Sequence, residues 1–77
     1  MNPIEKILTD KRLSLQELAV KMHVSYYQVW AALRGYPKFL PKGVVKGLAN
    51  LGYNPDQIAQ LALDYVHWRN SVVDERR

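Results

Sequence analysis

Helix-start signals recur along this chain at intervals too short for any long element before the last. Asn2-Pro3 pairs a capping side chain with the imide residue that suits a first helical position. Ser14-Leu15-Gln16-Glu17 has capping-box spacing, Ser25 offers another cap, and Pro41 can open a helix. Asn54-Pro55-Asp56 adds a cap, a proline and an acid at the positive end of a helix dipole. Stops lie between these starts at Lys11-Arg12, Met22-His23, Arg34-Gly35 and Gly52. Within each interval the apolar residues fall at helical spacing, as in Ile4, Ile7 and Leu8, or Leu15, Leu18, Ala19 and Met22. No stretch alternates apolar and polar residues between hairpin signals. The expected class is all-α: a compact five-helix bundle in a single domain, with helices near 3–12, 15–23, 26–34, 41–51 and 55–73 and a frayed end over 72–77. Gly43 and Gly47 weaken the fourth helix, so close packing is expected at one of them.

Size narrows the function classes. A chain of 77 residues buries only about 60% of its unfolded surface, which leaves nothing for a second domain or a deep substrate chamber. The expectation is a protein that is not an enzyme and has no small-molecule substrate. With no cysteine there is neither a disulfide framework nor a thiolate metal site, and the fold rests on packing, as suits a reducing compartment. No apolar run approaches the roughly 18–20 residues of a membrane span, and the start Met1-Asn2-Pro3-Ile4-Glu5 lacks a signal-peptide pattern, so a soluble cytoplasmic protein without membrane contact is expected. His23 and His67 have no companion ligand at helical spacing; they read as surface residues, with no metal or cofactor. Ser14 and Ser25 read as caps, since no base is arranged beside either.

The net charge of +4 is unevenly spread. Residues 1–53 carry eight basic and three acidic side chains, whereas 54–77 carry three basic and four acidic. Between Leu18 and Pro55 there is no acidic residue, yet Lys21, Arg34, Lys38, Lys42 and Lys46 all fall there. A polyanion meets no repulsion on such a surface, although a solvated basic face has the same composition.

Two short helices separated by His23-Val24-Ser25, the second closing on Gly35, describe a helix-turn-helix. Burying Val29, Ala32 and Leu33 turns Tyr26, Tyr27, Gln28, Trp30, Ala31 and Arg34 towards solvent or a ligand. Lys21, Arg34, Lys38 and Lys42 are then candidate phosphate contacts, aided by the free N–H groups that open the fourth helix. The run from Leu15 to Gly35, with Ala19 at the helix crossing, Val24 in the turn and Val29 at the centre of the second helix, resembles the Cro and lambda-repressor family of DNA-binding domains. The sequel Leu51-Gly52-Tyr53-Asn54-Pro55-Asp56 is similar too, and the resemblance extends from about Ile4 to Leu63. The Pro41-Lys42-Gly43 loop also resembles Ner-type regulators of transposing phages.

That resemblance implies a double-stranded DNA operator as partner and a third helix lying in the major groove. It puts Tyr26, Tyr27 and Ala31 closest to the bases, flanked by Gln28 and Trp30, and it gives Gln16 a phosphate contact one place later than the family's glutamine, because Leu15 holds that position. Gln28 suits adenine and Ala31 a thymine methyl. His23 stands where the family usually has glycine, and so accepts a positive φ or takes another turn. Trp30 replaces a small or polar residue, facing either the duplex or the interior. On the last helix, Tyr65, Trp68 and Val72 belong to an apolar stripe that either covers the first helix or forms the interface of a homodimer. The function expected is a sequence-specific transcriptional regulator of phage or mobile-element type, most simply a repressor. The alternative is a protein-interaction module on the same scaffold, partnered by an antirepressor or antitoxin.

Overall fold

Asn2 fixes the entry of the chain. Its Oδ1 accepts the Ile4 N–H at 2.7 Å, capping the first helix, and Pro3 follows at a position whose missing N–H is no loss. The computed structural model describes residues 2–75, with side chains to residue 72. Its elements are α1 (Pro3–Lys11), α2 (Leu15–Met22), α3 (Tyr26–Arg34), α4 (Lys42–Asn50) and α5 (Pro55–Glu75), with no strand among the described residues. Ser14 and Glu17 close the expected capping box on α2, and Asn54 and Gln57 exchange the same pair of bonds at the start of α5. Ser25 accepts the Gln28 N–H on α3.

The first four helices end alike. Arg12, His23, Gly35 and Gly52 take positive φ (55°, 59°, 78° and 100°), and the next residue's N–H returns to a carbonyl five positions back: Leu13 to Leu8, Val24 to Ala19, Tyr36 to Ala31, Tyr53 to Leu48. Pro41 is the cap of α4 rather than its first residue, α1, α2 and α4 each end one residue earlier than expected, at Lys11, Met22 and Asn50, and α5 is helical through Glu75, past the expected 73. Arg76 and Arg77 lie outside the described residues.

The helices pack around Ile4, Leu18, Met22, Val29, Val44, Leu48 and Tyr65, each almost without solvent contact. Their closeness depends on Gly47, where a β-carbon would run into the Cβ of Met22 and lie 2.9 Å from its carbonyl oxygen. The backbones of α2 and α4 therefore cross at the glycine, the close packing anticipated for one of the two glycines of α4. Asn50 reinforces the crossing by donating to the Met22 carbonyl at 3.3 Å. The radius of gyration of 11.7 Å matches the roughly 11.5 Å of a fully packed chain of this length. Among the described residues no helix is long and apolar enough to cross a membrane.

Candidate functional site

The turn between α2 and α3 is built by His23. It accepts the left-handed conformation, its N–H bonds to Val20 and that of Val24 to Ala19, and the chain is delivered to the Ser25 cap after three residues. Val29 and Ala32 then face the core and are wholly buried. Tyr26 and Tyr27 stand outward at 53% and 67% exposure, and Arg34 is exposed, whereas Gln28, Trp30 and Ala31 are half-buried. Leu33, expected in the core, is also half-buried, since it lines a surface cleft with Glu5, Leu8, Trp30 and Arg34.

Trp30 belongs neither to the core nor to open solvent. Its ring lies 5.7 Å from that of Tyr27 and 5.4 Å, edge-on, from that of Tyr36, and the Arg34 guanidinium sits 5.8 Å from its centroid. Tyr27, Trp30 and Tyr36 thus form a continuous aromatic row with a cation against it. Gln28 is turned to the other side. A β-carbon on Gly43 would lie 3.0 Å from its amide oxygen and 3.4 Å from Val24, so the glutamine rests against the first turn of α4.

Of the cations, Arg34 alone among the described residues is seen to touch this row. Lys21, Arg34, Lys38, Lys42 and Lys46 are all exposed, and α4 begins without a side-chain cap, leaving its first N–H groups free. Gln16 and Lys21 line one cleft on α2 with Glu17 and Val20, apart from the aromatic row. Glu17 itself is held below the usual carboxylate range by the Ser14 N–H, then by the Ser14 hydroxyl, with Lys21 adding a smaller pull. Glu5 brings a carboxylate to the α1 edge of the Trp30 cleft.

Tyr36 and Phe39 escaped the sequence reading, which treated residues 36–40 as a plain loop. They are 60% and 68% exposed. Loop residues have no periodicity to reveal a face, but the composition held a signal: five of the eight aromatic residues fall within residues 26–39.

The α5 stripe turns inward. Tyr65, expected at a dimer interface, is completely buried, and its hydroxyl donates to the Pro37 carbonyl at 2.6 Å. Burial pushes the Tyr65 hydroxyl pKa up, with Arg69 partly opposing the shift. Trp68 packs at 6.0 Å from Tyr65 and covers Gly35, where a β-carbon would come within 2.9 Å of its ring. Arg69 donates to the Gly35 carbonyl at 3.3 Å. Tyr65 therefore leaves the dimer set: it braces the segment that joins α3 to α4. Trp68 is half-buried by the same contact, and Val72 is half-buried farther along α5.

His23 and His67 are exposed, and among the described residues no three histidine, aspartate or glutamate side chains converge. Comparison with protein-family models, curated proteins and solved structures gives no match.

Proposed function

We propose that α2 and α3 form a helix-turn-helix of the Cro and lambda-repressor type, and that the protein is a sequence-specific regulator of transcription that binds double-stranded DNA with α3 in the major groove. The observation that carries this reading is the absence of any carboxylate from residues 18–55, the stretch that contains α3, the loop after it, α4 and five exposed cations. A helix carrying Tyr26 and Tyr27 in its first turn and Ala31 one turn farther on fits the groove, while Lys38, Lys42 and the uncapped start of α4 neutralise phosphate beside it. Lys21, Arg34 and Gln16 extend the phosphate contacts. Bound over a promoter, such a domain excludes polymerase, the simplest repression and one that needs no enzyme activity, in keeping with a phage or mobile-element regulator.

The test is duplex binding measured across salt concentrations. Each neutralised phosphate adds about 0.9 to the logarithmic salt slope. Changing Lys38 and Lys42 together to alanine should flatten the slope by up to about two and weaken all sequences alike. An unchanged slope would remove the loop and α4 from the interface.

One observation favours a second reading. Tyr26, Tyr27, Tyr36 and Phe39 expose aromatic surface of the kind that anchors protein partners. On that reading the same face binds another regulator, and duplex binding is weak and indifferent to sequence.

A further inference from the structure

The outward half of α3 is chemically unusual for a surface that meets base edges. Guanine is read best by the paired donors of arginine or lysine, and adenine by the amide of glutamine or asparagine. Neither type stands free in the N-terminal half of α3. Gln28 is the sole amide of α3, and it rests against Gly43. Arg34 is the sole cation of α3; it lies in the last turn with its guanidinium over the Trp30 ring. Over the first two turns what is exposed is Tyr26 and Tyr27, with the half-buried Ala31 and Trp30 following them and the exposed Arg34 one turn farther on.

We infer that this face reads thymine 5-methyl groups, so that the preferred duplex sites present thymines to Tyr26, Tyr27 and Ala31. The inference rests on the duplex-binding reading above and specifies its ligand. The 5-methyl is the apolar feature of the major-groove code, and tyrosine ring edges and an alanine methyl are the groups that bury it. Each tyrosine hydroxyl supplies a single donor and acceptor, enough for a phosphate or one base atom but not for the two-point contact that selects guanine. The exposed cations of residues 18–55, an interval without a carboxylate, bring the phosphates in, and the aromatic row excludes water from the methyl contact.

The experiment starts from a duplex selected out of a random pool by the whole chain, resynthesised with deoxyuridine at one thymine at a time. Affinity should fall about fourfold for each methyl lost from the contact, the worth of one buried carbon group, with the salt slope unchanged. Replacing a cytosine by 5-methylcytosine at a neighbouring position of the site should raise it. Tyr27→Ala, at an exposed position, should keep its far-UV circular dichroism and lose most of the thymine-against-uracil difference, whereas Gln28→Ala should keep that difference. Tight, salt-sensitive binding that ignores uracil substitution would overturn the methyl inference alone, as would an adenine-centred site lost in Gln28→Ala or a guanine-centred site lost in Arg34→Ala. Absence of salt-sensitive duplex binding would overturn the duplex reading and this inference together. Unaltered affinity and selectivity in Tyr27→Ala would take the aromatic row out of the duplex contact and also overturn it.

Discussion

Asn2 serves two helices at once. While its Oδ1 caps α1, its Nδ2 donates to the carbonyls of Ala32 and Leu33 at 3.1 and 2.9 Å, satisfying the end of α3. Aspartate and asparagine are equivalent as simple N-caps, so Asn2→Asp distinguishes the two roles. The cap survives in the aspartate, but a buried carboxylate then faces two carbonyl oxygens. We expect a loss of about 1–3 kcal/mol at neutral pH in urea unfolding, eased in acid because the protonated carboxyl regains one donor. An aspartate as stable as the parent would reduce Asn2 to a cap. Glu17 contributes to the acid dependence of the parent chain. Its carboxyl is lowered in the folded state, so its contribution is present above the unfolded value and is lost as pH falls through the folded one. Glu17→Gln retains an acceptor for the Ser14 N–H without the charge, and its urea midpoint should change less than the parent's between pH 6 and 3, taken as roughly the carboxylate titration range. The capping role of Asn2 was legible in the order Asn2-Pro3-Ile4. Its bonds to α3 were not, because a contact across 30 residues depends on how two helices cross.

At the scale of the helices, what decides the arrangement is where backbones can approach. Gly47 and Gly43 sit one turn apart on α4 yet meet different neighbours. The β-carbon of Gly47→Ala would collide with Met22, including its backbone carbonyl, and α2 cannot yield without disturbing the turn into α3. We expect destabilisation of about 1–3 kcal/mol despite the helix propensity gained. Gly43→Ala meets the movable end of Gln28 and should stabilise thermal unfolding by up to about 1 kcal/mol. The reverse order of the two variants would place the crossing elsewhere. The sequence revealed that α4 needs one close approach, because two glycines in nine residues must be repaid by packing; it could not say which, since Gly43 and Gly47 lie on adjoining turns of one face. Four of the five helix starts were legible because a capping side chain lies within four residues of what it caps; α4, which has none, was placed one residue early. The end of α5, at Glu75 rather than 73, is not marked in the sequence, because no glycine or proline stands between Pro55 and Glu75. The candidate site was legible where periodicity operates, on α3, and dark where it does not, at Tyr36 and Phe39.

Over the whole molecule, α5 acts as a brace. Tyr65, Trp68 and Arg69 spend their contacts on Gly35 and Pro37, holding the loop that presents Lys38 and Phe39. An apolar stripe in the sequence is the same whether it meets its own chain or a second copy; burial of Tyr65 decides for its own chain. Leu63, at 48% exposure, is then the only large apolar side chain that α5 leaves substantially open among the described residues. A stable interface needs roughly 1,000 Å² or more of well-packed surface, and one leucine with the free parts of Trp68 and Val72 falls short of it. We therefore expect sedimentation as a monomer at tens of micromolar, with 1:1 stoichiometry on a duplex carrying a single site. On an inverted repeat whose half-sites lie about one turn apart, roughly 34–36 Å, two copies should bind. The molecule measures 35 × 25 × 22 Å, so such neighbours touch only if their longest axes run along the duplex. Laid across it, they fill the two half-sites independently, and the second binds no more tightly than the first. A dimer in the absence of DNA, dissociated by Leu63→Glu without loss of helix content, would restore α5 as an interface and overturn the monomer.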